Sequence, residues 1–192
     1  MDAIRQSDDK YRTLESFWKG QINSKVWLIE HLGKLTRPFD QKVLICGGWY
    51  GVLATLMFNS NLFVKEITSM DKDKKCEVVA RNMNKQYEIA GRFYAITQDM
   101  TKYKNYEKFD LIINTACEHI TQLEYDTWLQ LVPHSATLAI QSNNFEIAEH
   151  VNIKQSLNDF VDSSGITPLL EPVELQTEKY KRFMIIGKRN EK

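Results

Sequence analysis

The chain has 192 residues, 43% hydrophobic and 26% charged, with 25 Lys plus Arg balanced by 25 Asp plus Glu. That length and balance suit one soluble α/β domain with a sizeable core. Zero net charge excludes a dominant phosphate-backbone partner, which needs a basic footprint, so nucleic acid is not favoured. No apolar run reaches the length of a membrane span, and the polar stretch Met1 to Lys10 does not read as a signal peptide. The three cysteines, Cys46, Cys76 and Cys117, are widely spaced with no C-x-x-C pair. They fit a reducing cytoplasm and offer no structural zinc site, and no metal ligand set is read from the sequence.

The first forty residues read as an N-terminal helical layer. Ile22, Val26 and Ile29 fall on one face, Leu28, Leu32 and Leu35 widen the apolar arc, and Gly33 with Arg37-Pro38 ends it. Strand and helix then alternate. Lys42–Cys46 is a strand, Tyr50–Asn59 a helix, Val64–Met70 a strand ending at Asp71, and Lys74–Ala90 one helix closed by Gly91. Strands follow at Arg92–Thr97 and Phe109–Asn114. A helix over Tyr125–Val132 is stopped by Pro133, a strand covers Ala136–Gln141, and Glu146–Phe160 contains helical material. Val173–Thr177 and Arg182–Lys188 are strands joined only by residues 178–181, which permits a hairpin and forbids a parallel crossover. The expected fold is therefore a three-layer α/β, Rossmann-like sheet. It is mostly parallel with an antiparallel C-terminal hairpin strand, and N-terminal helices precede it. The expected organisation is a single domain, 1–192, with 1–40 as the helical layer and 41–192 as the core.

The run Val43-Leu44-Ile45-Cys46 leads straight into Gly47-Gly48-Trp49-Tyr50-Gly51. A buried parallel strand, a tight glycine turn and a helix start make a nucleotide-type cradle: glycine lets backbone approach a ligand, and a helix start offers free N–H groups. Asp71, twenty positions after Gly51, stands where an acidic residue would meet a ribose. Asn114-Thr115-Ala116-Cys117-Glu118-His119 follows the strand expected at the sheet centre, at the end where open sheets bind ligands. His119 is a candidate general base, and Glu118 would orient it or hold a cationic group. Gln141, Asn143 and Asn144, with Ser142 among them, are candidate recognition groups after the fifth strand, and His150 could reach the same rim. Trp18 and Lys25 would form a lid over an acceptor, Cys117 would line it, and a Trp-bearing N-terminal helix would suit a homodimer.

With glycine turn, Asp71, Asp99, Asn114 and terminal hairpin in that order, the chain resembles the class I S-adenosylmethionine (SAM)-dependent methyltransferases over roughly residues 40–190. The resemblance implies SAM as cofactor. It puts Gly47, Gly48, Trp49, Tyr50 and Gly51 against its methionine part and Asp71 on the ribose hydroxyls. Asp99 and Met100 would border the adenine, and Asn114, Thr115 and Ala116 the floor. Two positions depart from the pattern: Ile45 where the family carries an acid, and Trp49 where it carries a glycine. Trp49 and Tyr50 would then cover the sulfonium by cation–π attraction. The segment after Asn114 lacks the motifs of base-amino and cytosine-C5 methylation. The expected activity is direct methyl transfer to a small polar acceptor in the cytoplasm. The rival readings are an atypical nucleic-acid methyltransferase and a cofactor-binding descendant of the fold with other chemistry.

Overall fold

The computed structural model describes residues 7, 9–35 and 41–191, and the chain divides into two units after Met100. In the first, helices α1 (Lys10–Glu15) and α2 (Lys19–Leu32) precede strands β1 (Gln41–Cys46), β2 (Val64–Asp71) and β3 (Phe93–Thr97). The strands are parallel in the order β3-β2-β1, with Val43 opposite Ile67 and Ile67 opposite Phe93. Val43 to Cys46 are all buried, as expected for a parallel strand covered on both faces. Helix α3 (Val52–Phe58) joins β1 to β2, and α4 (Lys74–Met83) with α5 (Lys85–Ile89) joins β2 to β3.

Two helices differ from the sequence pattern. The stripe that α2 buries is Ser24, Leu28 and Leu32, a strict i, i+4, i+8 row, whereas Val26 is exposed. The second apolar arc, not the first, covers the core; periodicity alone defines both, and only the packing partner chooses. The Arg37-Pro38 stop lies outside the described residues. The single helix expected over Lys74–Ala90 breaks at Asn84, which is fully buried. Its Nδ2 donates to the carbonyls of Gly51 and Ala80, both at 3.1 Å. Its Oδ1 accepts from Thr55 Oγ1 at 2.9 Å. A buried amide with its groups satisfied this way latches the glycine turn to α3 and α4.

Helix α1 is fixed by charge. Arg12 pairs with Asp73 at 2.6 Å. Asp73 is in turn the N-cap of α4, accepting from Lys75 N–H at 3.0 Å.

In the second unit, β4 (Leu111–Asn114) and β5 (Thr137–Asn143) are parallel, and β8 (Lys181–Arg189) runs antiparallel to β5. β6 (Ile166–Pro168) and β7 (Val173–Gln176) both pair antiparallel with β8. The β7–β8 hairpin, with Gln176 opposite Lys181, is the one the short connection demands. The strand β6, only three residues long, carries too little pattern to be read from sequence. Helix α6 (Gln122–Leu131) begins earlier than expected, at a Thr121/Glu124 capping box. Helix α7 (Leu157–Ser164) occupies only the end of the expected helical stretch, and residues 144–156 form a loop. β5 extends through Asn143, so Gln141, Ser142 and Asn143 are buried strand residues and not a rim turn.

The architecture is thus α/β with mostly parallel strands, an antiparallel C-terminal pairing and N-terminal helices. Among the described residues no helix is long and apolar enough to cross a membrane.

The Arg12 guanidinium holds the Asp73 carboxyl below its ordinary range. The pair therefore stabilises at pH values above that range, and its contribution is lost as pH falls through the folded value. Both side chains are partly exposed, which limits the effect to under about 1 kcal/mol. Asp73→Asn keeps a competent N-cap and should lower the melting temperature by at most a few degrees at neutral pH. Melting curves of variant and parent should converge in acid; a gap that persists there would show that charge is not the cause.

Candidate functional site

At the end of β1 the backbone turns through Gly47 (φ 62°), Trp49 (φ 50°) and Gly51 (φ 75°). Trp49 is the only non-glycine with positive φ among the described residues, a conformation that L side chains resist. Its N–H donates to Asp71 Oδ2 at 3.0 Å, and Asp71 Oδ1 accepts from Asp73 N–H at 2.9 Å. One carboxylate therefore pins the glycine turn and the turn after β2 together. Gly48 N–H donates to Met70 O at 2.9 Å and Gly51 N–H to Gly48 O at 3.0 Å. The turn's amides at Gly48, Trp49 and Gly51 thus close on the protein itself. The glycines also have a packing reason. A Cβ at Gly51 would fall 2.6 Å from Asn84 Nδ2, and one at Gly48 would fall 2.0 Å from Ser69 Oγ.

Trp49 and Tyr50 stack on each other at 5.1 Å and pack with Cys76, Val79 and Met83. Tyr50 is buried and Trp49 half-buried, so these rings serve the core beside α4 and do not form an open aromatic cover. Burial, with Asp71 and Asp73 nearby, pushes the Cys76 thiol up to about 12. Asp99 and Met100 follow β3 and are half-buried. Gln98 N–H donates to Asp71 O at 2.9 Å, which brings this stretch beside the end of β2. Trp18 is exposed at the start of α2, and Lys25 Nζ bonds Gln21 Oε1 at 2.9 Å.

The second unit gathers a polar cluster at the carboxyl ends of β4 and β5. Arg182 and Glu118 are 4% and 2% exposed and pair at 3.1 Å. Asn143 Nδ2 donates to the same Glu118 Oε1 at 2.6 Å. Arg182 Nε donates to Gln141 Oε1 at 3.1 Å and its Nη2 to Thr115 O at 2.5 Å. Gln141 and Asn143 therefore hold the ion pair. Asn144 stitches the start of β8, its Oδ1 accepting from Lys181 N–H at 2.8 Å. Asn114 Oδ1 accepts from Ala116 N–H at 3.1 Å, shaping the turn. Cys117 is buried, with Sγ 3.6 Å from Asn114 O. His119 is exposed, and its Nδ1 lies 3.2 Å from Glu149 O, so backbone and not Glu118 orients the ring.

Sequence reasoning singled out Glu118 but missed Arg182, its partner across 64 positions. Arg182 opens a strand whose next residues are apolar, and a cation at a strand edge is ordinarily solvated. Asn84 was equally silent, looking like one more polar residue on a helix.

No protein-family model and no curated protein matches the sequence. Solved structures do match. The chain is similar to magnesium protoporphyrin IX methyltransferase from Synechocystis PCC 6803 with bound S-adenosylhomocysteine (TM-score 0.68, 13% identity, 97% of this chain and 91% of that one). It is similar to geranyl diphosphate C-methyltransferase from Streptomyces coelicolor A3(2), solved with Mg2+, geranyl diphosphate and S-adenosyl-L-homocysteine (TM-score 0.67, 9% identity, 99% and 88%). It is also similar to the cyclase SpnF (TM-score 0.68, 8% identity, 91% and 84%). The fold is that of the class I SAM-dependent methyltransferases.

Removing Arg182 would leave a buried carboxylate without its counter-charge, at a cost of about 3–5 kcal/mol. Arg182→Met should lower the melting temperature by roughly 10 °C, and adding Glu118→Gln should recover part of that loss. Equal melting of the single and double variants would mean the charge pair is not what the fold depends on. Cys76 should resist alkylation at pH 8 in the native protein and react once unfolded, as read by mass spectrometry.

Proposed function

We propose that this chain is a SAM-dependent methyltransferase acting on a small-molecule acceptor. The observation that carries the proposal is the Asp71 carboxylate, seated at the end of β2 and fastened to the glycine turn in a fold shared with enzymes solved with S-adenosylhomocysteine. The residues fit the cofactor. Each Asp71 oxygen accepts one backbone N–H, and a carboxylate has about four acceptor sites, so both oxygens retain capacity for ribose hydroxyls. The bonds to Trp49 and Asp73 hold the carboxylate in place before any ligand arrives, so little ordering remains to be done on binding.

In this reading Asp71 takes the ribose, Asp99 and Met100 border the adenine, and Gly47 with the turn faces the methionine part. When bound, SAM supplies a sulfonium-activated methyl group, and an acceptor lone pair displaces it as S-adenosylhomocysteine leaves. The protein's main task is alignment. Within the second unit, His119 is an exposed imidazole with Nδ1 3.2 Å from the Glu149 carbonyl, and it is the candidate general base. Glu118, buried on Arg182 and Asn143, has a holding role. Trp18, Lys25 and Asn144 remain candidates for acceptor contact. Three buried cysteines with no disulfide among them suit a cytoplasmic location.

A second reading is a protein of the same fold that binds SAM without transferring its methyl. Trp49 at a glycine position and the likeness to a cyclase favour it. Turnover separates the two, since only the first releases S-adenosylhomocysteine when acceptor is supplied.

Calorimetric titration should show one SAM or S-adenosylhomocysteine bound per chain. Asp71→Ala should weaken it by about ten- to a hundredfold, the worth of a lost charge-assisted hydrogen bond, with circular dichroism confirming that the variant folds. No heat at millimolar ligand, or undiminished affinity in the variant, overturns the assignment.

A further inference from the structure

The loop after β5 folds back on the short helix that carries Glu118 and His119. Val151 and Asn152 N–H both donate to Glu118 O, at 2.9 and 3.1 Å, and Lys154 N–H donates to Asn143 O at 2.9 Å. These bonds bring His150 against His119, ring centroids 4.7 Å apart and nearly perpendicular. One ligand atom from each of Glu118, His119 and His150 then lies within 4.8 Å of the others.

The surroundings of the three side chains prepare them alike. His119 Nδ1 lies 3.2 Å from Glu149 O, and His150 Nδ1 lies 2.7 Å from Phe145 O. A carbonyl only accepts, so Nδ1 is the donor in each contact, and in the neutral form of the ring the lone pair lies on Nε2. This is the arrangement in which a backbone carbonyl orients a metal-binding imidazole. Glu118 Oε1 takes both Asn143 and Arg182, whereas Oε2 is buried and has no hydrogen-bond partner. An acceptor left so within a network that satisfies its twin is a costly vacancy. Two nitrogen lone pairs and one carboxylate oxygen, with no donor among them, call for a cation.

We propose that Glu118, His119 and His150 bind a first-row divalent transition metal through Oε2 and the two Nε2 atoms. Two imidazoles with one carboxylate suit Zn2+, Fe2+ or Co2+ rather than Mg2+ or Ca2+, which take oxygen sets. Ligand atoms around such a metal sit about 3.4 Å apart in tetrahedral geometry. The set must therefore tighten by about an ångström, and the exposed His119 side chain has the freedom to do so. Three protein ligands leave the coordination open to water or to an oxygen of a bound molecule. The charge of Arg182 opposes the metal, which makes the site an exchangeable one. The assignment does not depend on what the chain transfers and its test does not involve SAM; with Nε2 on the metal, His119 is a ligand and no longer the free base. Cysteine spacing, the ground for expecting no metal, says nothing about an oxygen–nitrogen set.

The test uses the untagged full chain, stripped with chelator and desalted. Zn2+ titration should show one equivalent, Mg2+ should bind far more weakly, and Co2+ should give a visible absorption band of nitrogen–oxygen ligation. His119→Ala and His150→Ala should each weaken Zn2+ by at least about tenfold and abolish the cobalt band. His31→Ala and His134→Ala should change neither. The proposal is overturned by no Zn2+ binding below millimolar, by affinity unchanged in both His119→Ala and His150→Ala, or by a thiolate-to-cobalt charge-transfer band, which would place the metal on cysteine.

Discussion

A guanidinium inside a protein must satisfy its donors or destabilise the fold, and Arg182 does so by reaching three different parts of the second unit. It bonds Glu118 on the helix after β4, Gln141 on β5, and the carbonyl of Thr115. Desolvating two charges costs several kcal/mol each, and the Coulombic attraction repays that only where the remaining hydrogen-bonding positions are filled. Here Asn143 and Gln141 fill all but Glu118 Oε2, which is why strand β5 ends in polar residues although it is buried along its whole length. The loop after β5 then hangs from the backbone carbonyl of Glu118. One buried pair thereby decides where β8 starts, how the segment after β4 turns and what stands beside His119.

The first unit solves a similar problem with one carboxylate. Asp71 accepts from two turns at once, and the Trp49 conformation, unfavourable for any L side chain, is held by that bond and by the stack on Tyr50. Asn84 secures the other end of the turn at Gly51. The glycines admit Ser69, Ala80 and Asn84. Rigidity around the carboxylate is the property that the proposed ribose contact of Asp71 would need.

Polar satisfaction also shows where it stops. Most buried polar groups of the second unit's cluster have partners, and Glu118 Oε2 does not. Ser142 Oγ is also buried without a partner, but the Glu118 oxygen belongs to the residue grouped with two imidazoles held by backbone carbonyls, a departure from consistency at the place where function is expected.

The strand–helix alternation, the terminal hairpin and the pairing of the glycine turn with Asp71 were all legible in the chain, because each is a local pattern of period, turn chemistry or connection length. The polar segment from Asn114 to His119 stood out as a candidate for the same reason: it follows the apolar run Leu111 to Ile113. The break at Asn84, the face that α2 buries and the partner of Glu118 were not. The helical material expected within Glu146–Phe160 is confined to its end, because residues 144–156 form a loop held by long-range backbone bonds, which has no period of its own. Arg182 and Glu118 lie 64 positions apart, and neither flank announces burial. Local sequence sets what each segment is inclined to form. Which atoms lose water, and so must find partners, depends on register and on what packs above. Tertiary structure therefore turned Glu118 from a candidate acid–base group into a buried partner of Arg182 and placed His150 beside His119.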